Sequence, residues 1–138
     1  MVAVDTNVLL RYLLEPLDER NPKWQVVAAR DVIEKADAVF VSDIVVAEME
    51  WVLESVFELD RGDIAALMAA LSSNYRFNFE DWVALQSALM DYREYGQVDF
   101  SDCLIARTAQ RKGASTLFTF ENMQKLGALP IATTLSAL

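Results

Sequence analysis

Residues 1–14 read MVAVDTNVLLRYLL, two largely apolar runs separated by Asp5-Thr6-Asn7. Val2 to Val4 form a short apolar run of the kind that makes a buried strand. Asp5-Thr6-Asn7 interrupts it with polar residues suited to a helix N-terminus, and Val8 to Leu14 runs on as an apolar helix. A strand that feeds directly into a helix leaves Asp5 at the strand's carboxyl end.

The same alternation is expected downstream. After a polar loop from Glu15 to Pro22, the residues Trp24, Val27, Ala28, Val32 and Ile33 recur at helical spacing to about Lys35. Ala38 to Val41 reads as a second strand, closed by Ser42-Asp43 as an N-cap signal. Ile44 to about Glu58 then forms a long helix with Glu48 in its second turn. Gly62-Asp63 opens a helix to about Ser73, Arg76 to Phe79 alternates as a strand, and Asp81 to Tyr95 is helical, ended by Gly96. Asp99 to Lys112 is a further helix with Gly113 as its C-cap. Thr116 to Phe120 is a strand, Glu121 to Leu126 a short helix and Pro130 to Ala132 a last strand. Strands alternating with helices imply an α/β fold: a central parallel sheet flanked by helices, in a single domain over residues 1–138. In such folds ligands bind in the crevice beyond the carboxyl ends of the strands.

Composition narrows the chemistry. The chain has 138 residues, 54% of them hydrophobic, which is enough for one core. Charges interrupt every apolar stretch before the roughly 18 residues of a membrane span, and the start lacks the basic residues of a signal peptide, so a cytoplasmic location is expected. Cys103 is the only cysteine, which rules out an intramolecular disulfide or a thiolate zinc cage. The absence of histidine rules out Ser/His/Asp and Cys/His catalysis and histidine zinc sites. Carboxylates must carry whatever chemistry there is.

The acids are placed to do so. Asp5 and Glu121 follow predicted strands, Asp99 and Asp102 open a helix, and Glu48 shares the general face of Val45, Met49, Val52 and Val56, pointing toward the core side. A carboxylate on an apolar face is costly unless paired, and no Lys or Arg stands three or four residues from Glu48. Several carboxylates in one crevice raise one another's pKa, and a hard divalent cation such as Mg²⁺ or Mn²⁺ relieves that repulsion. Each acid also has a plainer use: Asp5 as a helix cap, Asp99 to Asp102 as a capping box, Glu121 as a first-turn acid at a helix dipole and Glu48 as the partner of a distant Arg.

Taken together, Val4-Asp5-Thr6-Asn7-Val8-Leu9-Leu10, Ser42 with Val46, Glu48 and Trp51-Val52-Leu53, Asp99-Phe100-Ser101-Asp102-Cys103-Leu104-Ile105-Ala106, and Thr119-Phe120-Glu121 resemble the PIN-domain ribonucleases, specifically the VapC-type toxins of bacterial toxin-antitoxin pairs. The resemblance covers nearly the whole chain in order, and departs at Glu121, where the family commonly has Asp. It implies a PIN fold, metal ligation by Asp5, Glu48 and Asp102 with Asp99 and Glu121 in support, and Thr6 and Asn7 orienting the first acid or water. It also implies an RNA substrate, a homodimer and a VapB-like antitoxin lying across the metal site. Cys103, at the start of an apolar run, reads as a packed residue.

The formal net charge of -9 opposes nucleic-acid binding, but two divalent ions would bring it to about -5, and local patches outweigh the total. Arg11, Arg107, Arg111 and Lys112 are the candidates for RNA contacts. Other readings stay open: an aspartyl phosphatase, although Asn7 stands where a second Asp is needed; a phosphate-accepting signalling domain, although the expected Lys after the last strand is missing; a PIN nuclease of RNA maturation outside any toxin pair; and a non-catalytic module whose acids cap helices.

Overall fold

The structure is a computed structural model that describes residues 1–14 and 21–137. Its elements run β1 (Val2–Ala3), α1 (Thr6–Leu13), α2 (Lys23–Lys35), β2 (Val39–Val41), α3 (Asp43–Ser55), α4 (Arg61–Ser72), β3 (Phe77–Phe79), α5 (Trp82–Glu94), α6 (Phe100–Arg111), β4 (Leu117–Thr119), a 3-10 turn at Leu126–Ala128, and β5 (Ala132–Thr134). The expected α/β alternation is present. The loop expected over Glu15 to Pro22 falls for the most part outside the described residues, with Pro22 at the N-cap of α2.

Every ladder is parallel. β2 lies between β1 and β3, with Val2 opposite Val39 and Val39 opposite Phe77, and β4 pairs with β5 through Leu117 opposite Ala132. The expected single sheet is therefore drawn, among the described residues, as a three-stranded and a two-stranded ladder. Val39 and Val41 are fully buried, as befits the central strand of an α/β layer, where both faces are covered. Leu9 from α1, Ile33 from α2, Val46, Met49 and Leu53 from α3 and Phe100 from α6 complete the core. No helix among the described residues is long and apolar enough to cross a membrane.

Two expectations near the C-terminus change. The short helix predicted over Glu121 to Leu126 is a tight turn followed by the 3-10 turn. The Asn122 side chain accepts from the Gln124 amide, and the Glu121 carboxylate from the Leu126 amide, so side chains satisfy donors that a helix would have used. The last strand lies two residues later than predicted, where Thr134 donates to the Glu121 carbonyl at 2.6 Å and fixes the β4–β5 register.

Two arginines brace the helices at opposite ends of the strands, Arg61 beside the start of α6 and Arg76 at the amino ends of β2 and β3. Arg61 of α4 donates to the carbonyls of Tyr92, Tyr95 and Val98 and lies 3.9 Å over the Tyr92 ring, tying α4 to the α5–α6 connection. Arg76 closes the carboxyl end of α2 by donating to Ile33, Glu34 and Ala36, where a cation meets orphan carbonyls.

Candidate metal centre

Parallel strands all deliver their carboxyl ends to one side of their ladder, and acids follow four of them: Asp5 after β1, Asp43 after β2, Glu80 after β3 and Glu121 after β4. Asp5 is the N-cap of α1, and one of its carboxylate oxygens accepts from the Val8 amide at 3.1 Å. The capping and ligand readings of Asp5 are compatible, because the cap engages Oδ1 and orients the group. Thr6 is buried behind it and donates its hydroxyl to Glu48 at 2.6 Å. This bond joins the start of α1, next in sequence to Asp5, to α3.

Glu48 is exposed, so the expectation that it points toward the core is corrected. It borders the apolar stripe, and the buried acid of α3 is Glu50, 4% exposed and spaced four after Val46 and three before Leu53. Glu50 accepts from the backbone amides of Phe100 and Ser101, the latter at 2.9 Å, and thereby closes the first turn of α6. Asp99 occupies the N-cap position there but makes no side-chain cap bond, so the capping-box reading of Asp99 to Asp102 is set aside. The capping of α6 is delegated across the core to Glu50, and the Asp99 carboxylate is not spent on it.

Asp102 sits in that first turn, half-buried. Desolvation, then the charges of Glu121, Asp99 and Glu50, push its pKa up to about 6, with Lys125 opposing. The pKa of Glu50 is raised as well, chiefly by burial, against the two amides that favour its ionised form. Among the described residues the trio with carboxylate oxygens within 4.8 Å of one another is Glu50, Glu54 and Asp99. The structure thus gathers Asp99, Asp102, Glu121 and Glu50 about the start of α6, and Asp5, Thr6 and Glu48 about the start of α1, with α3 carrying acids to both. Asn7 is exposed and its carbonyl accepts from Arg11 at 3.1 Å.

Such a set fits a hard divalent cation. The donors are all oxygen, burial and then the neighbouring carboxylates Glu121, Asp99 and Glu50 raise the pKa of Asp102, and Lys125 is the one cation among the leading influences on it. Glu50 and Lys125 were not singled out by the sequence reading. Helical spacing from Val46 and Leu53 marks Glu50 as buried, whereas nothing local marks Lys125.

The four basic candidates differ. Arg107 forms a two-point pair with Asp91, at 2.6 and 2.9 Å, and Arg111 pairs with Asp81 at 2.6 Å, so both guanidinium groups already have carboxylate partners. Arg11 donates to Gln25 at 2.8 Å, and Lys112 is exposed at the C-cap of α6. The Asp91 side chain is 9% exposed against 36% for Arg107. Removing the partner of a fully buried carboxylate costs about 3–5 kcal/mol, and the exposure of Arg107 reduces this to roughly 2 kcal/mol for Arg107→Met. Urea denaturation should show that loss, while any activity per folded molecule stays at the parent level. Cys103 is buried, and burial pushes its thiol up to about 12, as a packed residue requires.

Comparison with known proteins agrees with this architecture. A VapC ribonuclease from Aquifex aeolicus (strain VF5) is 27% identical over 128 residues, spanning 92% of this chain and 93% of that relative. The family model of the PIN domain matches residues 2–127. That match runs from the first strand to the 3-10 turn and takes in every acid described above, and the chain belongs to the PIN domain family.

Proposed function

We propose that the chain is a metal-dependent endoribonuclease of the VapC type, acting in the cytoplasm as the toxin of a toxin-antitoxin pair. The observation that carries this reading is the crowding of carboxylates about Asp102 within a PIN fold, a charge state that a divalent cation resolves. Asp5, Glu48 and Asp102 are the proposed ligands of Mg²⁺ or Mn²⁺, with Asp99 and Glu121 in support. When bound, the ion supplies a water of lowered pKa and a counter-charge for the leaving oxygen of a phosphodiester.

The protein's own part is positioning. The Val8 amide holds Asp5, the Thr6 hydroxyl holds Glu48, and Glu50 fixes the turn that carries Asp102. Arg11 and Lys112 are the proposed contacts to RNA. The partner readings rest on exposed apolar surface: Ile44 and Trp51, 70% and 67% exposed, flank Glu48 at spacings of four and three on one face of α3. A protein covering that face, as a VapB-like antitoxin would, also covers Glu48. A homodimer is the further expectation, and a monodisperse monomer in light scattering would contradict it.

Metal binding has a pH signature. The folded pKa of Asp102 is raised, from 3.8 to about 6, so its contribution to metal-free stability is full below about pH 4 and is lost as pH rises through 6. The metal-free protein should lose about 1–2 kcal/mol between pH 4 and 7, after allowance for solvent screening. Mg²⁺ should act in the opposite sense, because it binds the ionised group: at tenfold excess over Kd it adds about 1.4 kcal/mol, a Tm rise of roughly 4–6 °C at pH 7. That rise should shrink toward pH 5 and vanish in Asp102→Asn. A Tm indifferent to Mg²⁺ and Mn²⁺ at pH 7 would count against the proposed centre.

A further inference from the structure

Beside the carboxyl end of β1 lies a groove between α1 and α2, of roughly 470 Å³, within the range of pockets that hold small ligands. Asp5, Asn7, Arg11, Trp24, Gln25 and Val32 are among its walls. Resting on the nuclease reading above, we infer that this groove holds one unpaired RNA base next to the scissile phosphate, stacked on Trp24 and read along its acceptor edge by Arg11.

Three observations lead there. Trp24 is 69% exposed, a large π-face turned to solvent at a position where helical spacing gives α2 ample buried residues without it. An indole of this kind accepts any base by stacking, and single-stranded RNA is recognised chiefly through such platforms. Second, the Arg11 guanidinium does not swing freely: its Nε donates to Gln25 at 2.8 Å and one Nη to the Asn7 carbonyl at 3.1 Å. With Nε and one Nη1 donor engaged, the planar fork keeps its outer edge, formed by the two Nη groups, for an acceptor pair, and the N7 and O6 edge of guanine is the most frequent specific partner of arginine among bases.

Third, Asp5 belongs both to the groove and to the proposed metal centre, so a base lodged here is joined to a phosphate at that centre without any gap in the protein surface. Recognition of this type answers the acidity of the chain. Stacking and one oriented guanidinium supply affinity that a net charge of -9 denies to indiscriminate phosphate binding.

The test uses the full chain carrying Asp102→Asn, which binds without cutting and leaves the groove unaltered. Its probes are two fluorescent single-stranded octanucleotides, all uridine or with one central guanosine, read by anisotropy. Trp24→Ala should weaken binding of the guanosine probe about tenfold or more, and Trp24→Phe should recover most of it. Arg11→Lys should remove the preference for the guanosine probe, and Tm should stay within about 1 °C for Trp24→Ala because the side chain is exposed. Binding at the parent level in Trp24→Ala on this background, with parent-level cleavage by Trp24→Ala in the chain that keeps Asp102, would overturn this inference and leave the nuclease standing. Undiminished RNA affinity with lost binding of a co-expressed partner protein would give the groove to that protein and overturn it too. An unaltered chain that neither binds nor cuts RNA would overturn the inference and the nuclease reading together.

Discussion

Asp102→Asn should abolish RNA cleavage by roughly 10³-fold while leaving the protein as stable as the parent, or more so. The first half follows from the proposed role, since a ligand whose charge holds the reactive centre is worth several kcal/mol in the transition state. The second half follows from electrostatics: Asp102 lies among Glu121, Asp99 and Glu50, and burial with this repulsion pushes its pKa up to about 6. A neutral amide of the same shape relieves the repulsion. A structural acid would behave in the opposite way, losing stability first and activity only as a consequence. Single-turnover cleavage and thermal denaturation at pH 7 separate the two, and full activity in Asp102→Asn would reject the site.

Glu50→Ala should be the most destabilising single change in the acid-bearing region. Its carboxylate receives the backbone amides of Phe100 and Ser101 in a buried setting, and truncation leaves both donors without a partner. Each such loss costs about 1–3 kcal/mol. The raised pKa of Glu50 shows that burial of the charge itself is unfavourable, so part of that cost is returned, and a net loss of about 2–3 kcal/mol is expected. For a domain of this size the Tm should fall by roughly 6–12 °C. Glu50→Gln, which keeps one oxygen acceptor, should lose about half as much. Equal stability of Glu50→Ala and the parent in urea would show that α6 starts without this support.

Part of this arrangement was legible in the sequence. The order of strands and helices was legible because each apolar run is bounded by a residue with one local use: Ser42 and Asp81 cap α3 and α5 as side-chain acceptors, and Gly113 takes a φ of 96° after α6, which glycine tolerates best. Asp5, Asp102 and Glu121 were legible because strand ends and helix starts can be counted along the chain. The Glu121 to Leu126 segment was misread as a helix, since its acids and amides favour helix starts and tight turns alike.

Long-range pairs were beyond the sequence. Local pattern placed Glu48 on the apolar face, but the two helix positions from Glu48 to Glu50 turn the chain by about 200°, and it is Glu50 that faces the core. Its partners lie 50 and 51 residues away. Likewise, Arg107 and Arg111 read as free cations on a helix until Asp91 and Asp81 of α5 are brought against them. Capping and charge pairing between distant elements are decided by packing, and a pattern of residue types does not record them.

The most direct test of a carboxylate-held metal centre is cleavage of single-stranded RNA by the purified chain, with Mg²⁺, with Mn²⁺ and with EDTA, followed by mapping of the fragment ends. Discrete cuts are expected that need the metal, leave 5′-phosphate and 3′-hydroxyl ends, and disappear in Asp5→Ala. Cleavage that persists in EDTA, or fragments ending in 2′,3′-cyclic phosphate, would contradict a carboxylate-held metal centre.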